Sequence, residues 1–169
     1  SKLELLFHLH ERKADRLSEM NIAPAFFGIV ISALTTDAFI SFSRLYDVDE
    51  RSYSLWDFIR FVEGSLELFS EKAFLTRTAH WGQNWDACRG ITADTIVKHK
   101  RDLRADAAIL KRLNLRRSKR FAHKDREFVD TPEALTMAAP VSYADFRRIA
   151  ETAFRVINSY STAFNGVHL

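Results

Sequence analysis

Between Leu115 and Asp125 the chain reads LRRSKRFAHKD, which gathers Arg116, Arg117, Lys119, Arg120, His123 and Lys124 into one short stretch. An imidazole titrating near neutrality beside a guanidinium is the pair that a phosphodiester transfer needs. The histidine takes or gives the proton, and the arginine stabilises charge developing on the phosphorus oxygens. Surrounding cations favour the neutral imidazole, the form that acts as a base. The competing reading is a solvated helix face that happens to include a histidine. On an ideal helix Arg116 and His123, two turns apart, share a face, and Lys119 and Arg120 lie nearly on it. Arg117 points elsewhere unless the helix bends.

The charge pattern around this stretch favours an anionic partner. The net charge of +3 hides an asymmetry: from Lys98 to Arg126 there are twelve lysines and arginines against three acids, a balance of +9, while the remainder carries −6. Basic potential concentrated on one segment attracts polyanions more strongly than the same charge spread over a surface.

The elements that must position these residues are helices. Five glycines and three prolines punctuate 169 residues, and no stretch alternates apolar and polar long enough for a sheet. Apolar spacing predicts a first helix over 2–19 and, after NIAP with Pro24 in its first turn, a second over 24–47. That second helix is apolar on most of its circumference, as a buried central helix would be. Ser54 can cap a third helix ending near Ser70. Residues 71–91 read as a short helix and a loop. Thr92 or Asp94 can open a long basic helix to about 113, which 115–125 continues directly or after a kink at Asn114. Thr131 and Pro132 can start one helical turn, and Ser142 with Asp145 resembles a capping box at the head of the last amphipathic helix. The expected architecture is all-α, an up-and-down bundle of four to five helices with a short extra helix, in a single domain over 1–169. Fourteen phenylalanines and 47% hydrophobic residues suit such a core.

Polar exceptions inside apolar helices are the other candidates. Asp37, Ser41 and Arg44 fall on one stripe of the second helix, either as a structural polar cluster, with Asp37 and Arg44 bridged through a partner helix, or as part of a site. Arg44 and Asp47 are also neighbours at i, i+3. His8 and His10 diverge on a helix, and His80 and His99 have no carboxylate or thiolate at metal-ligand spacing, so no metal and no cofactor is expected. Trp56, Trp81 and Trp85 could stack bases, although packing explains them more simply. Cys88 is the only cysteine, which excludes an internal disulfide and fits a reducing compartment. Charges at Lys2 and Glu4 in place of a signal peptide, and the lack of about 18 consecutive uncharged apolar residues, point to a soluble cytoplasmic protein without a membrane partner. A serine at position 1 suggests a trimmed chain.

RRSKRFAHKD resembles the arginine, four to six residues, histidine motif of the HEPN superfamily (higher eukaryotes and prokaryotes nucleotide-binding), and in particular its abortive-infection, AbiU-like branch. LTTDAFISFSRLYDV is similar to the long second helix of that branch. The resemblance covers most of residues 3–165. Carried onto this chain it makes His123 the motif histidine and either Arg117 or Arg116 the motif arginine. Arg117 is preferred because Ser118 then takes the family's polar position, where serine departs from the usual Asn, Asp or His. Arg120, Asp37 and Arg44 are supporting candidates. The resemblance implies a metal-independent endoribonuclease that works as a homodimer, takes RNA as substrate and leaves 2′,3′-cyclic phosphate ends. It further implies a role in phage defence or a toxin–antitoxin system, with a regulatory protein as a potential partner. A helical dimerisation or nucleic-acid- and protein-binding module without catalysis is the alternative.

Overall fold

A computed structural model describes residues 2–49, 51–79, 90–122 and 132–168. Every regular element among them is helical. They fall into two compact units, one made of Ser1–Arg44 and Ile109–Phe146, the other of Leu45–Ala108 and Arg147–Leu169.

In the first unit, α1 (Lys2–Glu11) is followed by a run of turns and the single turn α2 (Leu17–Met20), so the expected helix over 2–19 is interrupted at 12–16. Pro24 then opens α3 (Pro24–Leu45). The expectation that α3 is a buried central helix is corrected by the structure. Only Ala38, Phe39, Phe42 and Ser43 are buried, whereas Phe26 and Ile29 are 60% and 69% exposed. Ile22, just before the helix, is exposed as well, and the described residues leave these side chains uncovered. By length and composition α3 could cross a membrane, but Asp37 and Arg44 interrupt its apolar character. The buried end of α3 packs on the start of the last helix, with Phe39 and Phe146 edge to face at 4.9 Å between ring centroids. Leu6, Ile109, Leu113, Leu135 and Ala139 complete this core.

In the second unit, α4 (Leu55–Gly64) starts where Ser54 accepts a hydrogen bond from the Asp57 amide at 3.3 Å. Leu55, Ile59 and Val62, at i, i+4 and i+7, bury its inner face. Burying each such side chain contributes about 1.5–3 kcal/mol. A 3₁₀ turn (Leu66–Phe69) leads to α5 (Glu71–Thr78), capped by Ser70. Gly90 is required where it stands: a Cβ there would lie 2.6 Å from the Glu71 nitrogen and 3.0 Å from the Ser70 Cα. Thr92 caps α6 (Ala93–Ala105) by accepting from the Thr95 amide at 3.2 Å. α6 packs against α4 through Ile96, His99 and Leu103.

The basic segment breaks earlier than expected. Asp106 closes α6, α7 (Ala107–Arg116) follows, and Asn114 lies within α7 and not at a kink. The reason is tertiary. Asp106 is buried and accepts a 2.8 Å hydrogen bond from Arg148, far along the chain, in the same unit. α8 (Pro132–Ala138) begins at Pro132 and runs for seven residues, longer than the single turn expected; Thr131 lies outside the described residues. Ser142 and Asp145 form a reciprocal capping box at the head of α9 (Tyr143–Asn165). The Ser142 amide donates to Asp145 Oδ2 at 2.8 Å, and the Asp145 amide donates to Ser142 Oγ at 3.1 Å.

Candidate active site

The histidine of the RRSKRFAHKD stretch, His123, lies outside the described residues, as do His80, Trp81, Trp85, Cys88 and Lys124. The structure does describe how the helix approaches it. α7 buries Ile109 and Leu113 one turn apart, which anchors the helix to the first-unit core and sets the rotation of the arginines that follow. Cations in this last turn also complement the negative end of the helix dipole.

At Arg117 the hydrogen bonding changes: residues Arg117–Ala122 form a π-helical turn. Such i→i+5 turns widen the helix and change its phase, and they concentrate at functional sites. The phase assumed for an ideal helix, which paired Arg116 with position 123, therefore ends at Arg117.

The two candidate arginines are treated differently by the fold. Arg116 is half-buried and engaged: its Nε donates to the Ala139 carbonyl at 2.6 Å, and its guanidinium lies 5.5 Å from the centroid of the Phe39 ring. Arg117 is half-buried and has no hydrogen bond or ion pair among the described residues. Ser118 beside it is exposed, and Lys119 is half-buried. Arg120 lies within the π-helical turn. One turn back, Arg112 pairs with Asp145 at 3.4 Å and so ties α7 to the capping box of α9. Burial alone would raise the Asp145 carboxyl pKa. The Ser142 hydrogen bonds and Arg112 outweigh it and hold the group below the usual carboxylate value.

The stripe on α3 does not assemble into a cluster. Asp37 pairs with Lys2 at 3.5 Å, both partly exposed. Ser41 and Arg44 are exposed, and no Asp37–Arg44 bridge exists among the described residues. Asp47, instead of pairing with Arg44, accepts from the Asp49 amide at 3.0 Å and from Ser52 Oγ at 3.2 Å. No group of three His, Cys, Asp or Glu side chains that could hold a metal occurs among the described residues.

A family model, HEPN_AbiU2 (AbiU2), matches residues 3–169. The chain belongs to the AbiU2 family of HEPN domains. No curated protein and no solved structure gives a significant match. The family match runs through both units and includes the segment Arg116–Lys124.

Two features of this HEPN chain escaped sequence reasoning. His99 is buried, with Nδ1 3.0 Å from the Tyr160 hydroxyl and the rings edge to face at 5.2 Å. Burial is the main cause that holds its pKa below the usual imidazole value. Burial also raises the Tyr160 hydroxyl to about 12, with Glu63 adding to the shift. The position of His99 one turn from Leu103 and Ile96 on the same face was the available signal. The second is an open apolar cleft of about 530 Å³ in the second unit, lined by Leu45, Tyr53, Phe58, Phe61 and Ile157. Its polar groups are Ser54, already capping α4, and Asp57, paired with Arg60 at 3.4 Å.

Proposed function

We propose that this AbiU2-family chain is a metal-independent endoribonuclease that acts as a homodimer, with Arg117 and His123 as the motif pair. The observation that carries the reading is the division of labour between neighbouring arginines. Arg116 holds the fold, whereas Arg117 opens the π-helical turn with a guanidinium that has no partner among the described residues and is the one offered to a phosphate in this reading.

In this reading the RNA 2′-hydroxyl attacks the adjacent phosphorus while one His123 accepts its proton. The phosphorus–O2′ bond forms, the phosphorus–O5′ bond breaks, and the partner subunit's His123 protonates the departing 5′-oxygen. The products are a 2′,3′-cyclic phosphate and a free 5′-hydroxyl. Arg117 stabilises the charge on the non-bridging oxygens. No electrons or cofactor are needed to balance this step. The uncovered Ile22, Phe26 and Ile29 side chains give a dimer an apolar surface to bury. Both units act together as one domain, in keeping with a family match that spans them. The biological setting that fits is abortive infection or a toxin–antitoxin pair in the cytoplasm, with a regulatory protein as partner.

A specific observation also favours a second reading, a non-catalytic binding module: the exposed apolar side chains on α3 suit partner docking whether or not RNA is cut. Incubation of the wild type and His123→Ala with mixed RNA in EDTA separates the two. Cleavage by the wild type alone, with cyclic phosphate ends, is the expected result. Equal cleavage by both proteins would reject His123, and folded, dimeric protein without cleavage would favour the module.

A further inference from the structure

The cations of the basic segment are not equivalent, and the fold sorts them. Lys100 is paired with Glu63 at 2.6 Å, Arg112 with Asp145 at 3.4 Å, and Arg116 with the Ala139 carbonyl. On α6 the core side is Ile96, His99 and Leu103. Lys98, Arg101 and Arg104 therefore fall on the opposite side, and all three are exposed. They recur every three residues, so they step about 4.5 Å at a time along the helix axis.

Two further details shape this face. Asp102, on the flank of this face, is held by Arg155 at 3.3 Å, and Arg101 reaches it only at 3.9 Å while staying 76% exposed. Asp94, two turns before Arg101, is the one acid on that side of α6. Arg104 lies over the Trp56 ring, 5.8 Å from its centroid. A guanidinium within cation–π reach of an indole sets a cation beside an aromatic ring on this part of the surface. Val97, 65% exposed between the cations, adds apolar surface beside it.

We infer that the outer face of α6, with Lys98, Arg101 and Arg104, is a docking surface for the backbone of single-stranded RNA, with Arg104 beside Trp56 stacking a base. The inference rests on the ribonuclease reading for its ligand, but its residues belong to the second unit and include none of the motif. Charge complementarity selects a polyanion, and the Arg104–Trp56 pair beside it favours bases that are free to unstack, which single strands offer and duplexes do not. The surface holds substrate without sequence preference, because phosphates and π-faces are common to all nucleotides.

The test is binding of a labelled 20-nucleotide single strand of 2′-O-methyl RNA to the full chain across a salt series. The probe has no 2′-hydroxyl and cannot be cut, so the outcome is independent of catalysis. Each phosphate contact with a single strand contributes about 0.7 to the slope of log K against log salt. The triple variant Lys98→Ala/Arg101→Ala/Arg104→Ala should lower that slope by about 2. A control variant with the same loss of charge elsewhere, Arg12→Ala/Lys13→Ala/Lys72→Ala, all exposed positions, should keep it. Arg104→Lys should keep the slope but weaken binding, because charge survives and stacking does not. An unchanged slope in the α6 triple variant, or an equal fall in the control, would overturn the docking surface. The EDTA experiment would still decide the ribonuclease separately.

Discussion

Arg116→Ala and Arg117→Ala differ by one position and should fail in opposite ways. Arg116 makes a hydrogen bond to a carbonyl through a charged donor, worth about 1.5–3 kcal/mol, and a cation–π contact worth about 0.5–1 kcal/mol at a partly exposed site. Its Nε sits 2.6 Å from the Ala139 carbonyl and its guanidinium 5.5 Å from the Phe39 centroid. Half-burial argues for the lower end, about 2 kcal/mol. For a chain of this size that lowers Tm by roughly 4–8 °C. Arg117 has no such partner among the described residues, so Arg117→Ala should leave stability within about 0.5 kcal/mol. It should instead lower cleavage by about 10²–10³-fold, the cost of removing one group that stabilises developing oxyanion charge. The assays are a thermal melt followed by circular dichroism, and RNA cleavage in EDTA at a temperature where both variants are folded. If Arg117→Ala melts as low as Arg116→Ala, or if Arg116→Ala is folded but inactive while Arg117→Ala still cuts, the assignment of the two arginines is wrong.

Two further outcomes follow from the capping box and from His99. Ser142→Ala removes one half of the box and should cost about 1 kcal/mol, a fall in Tm of roughly 2–4 °C. Asp145, held below its usual pKa with Ser142 and Arg112 as partners, stabilises the fold above the unfolded carboxylate value, and that contribution is lost as pH falls through the folded value. Its pH dependence in urea unfolding should therefore shrink in the Ser142→Ala background, and an unchanged acid limb would contradict the role of the box. His99 has a lowered pKa, with burial the leading cause and Asp102 opposing it. The unfolded chain then binds more protons, so the fold is most stable above about 6.5 and loses stability as pH drops below it. Urea unfolding at pH 7.5 and 5.5 should show that loss in the wild type and a smaller one in His99→Asn; equal slopes would place the pH sensitivity elsewhere.

What was legible in the sequence is what is decided locally. Ser54, Thr92 and the Ser142–Asp145 pair mark helix starts because a cap needs only a side chain and an amide two or three residues on, and Pro24 and Pro132 do so because a fixed φ and a missing N–H suit the first turn. The all-helical class followed from periodicity, and the AbiU2 family from a motif and one long helix. The break at Asp106 was invisible for the opposite reason. An aspartate in a basic run reads as surface, and only Arg148, on another helix, makes it a buried helix end. The burial of α3 was misread because apolar composition reports what a helix can cover and not whether anything covers it. Phe26 and Ile29 have the side chains of a core and the exposure of an interface.

The choice between Arg116 and Arg117 belongs to the same class. Spacing on an ideal helix favours Arg116, and the match to a motif favours Arg117; neither argument contains the carbonyl of Ala139 or the ring of Phe39. Those two groups come from α3 and from the segment after α8, and they take Arg116 into the fold. A π-helical turn then begins at the next residue and ends the helical phase on which the case for Arg116 depended. In the proposed reading these two contacts decide which of two identical side chains meets a phosphate, since Arg117 has no such partner among the described residues. The melt and cleavage of the two alanine variants are therefore a test of this local geometry as much as of the enzyme.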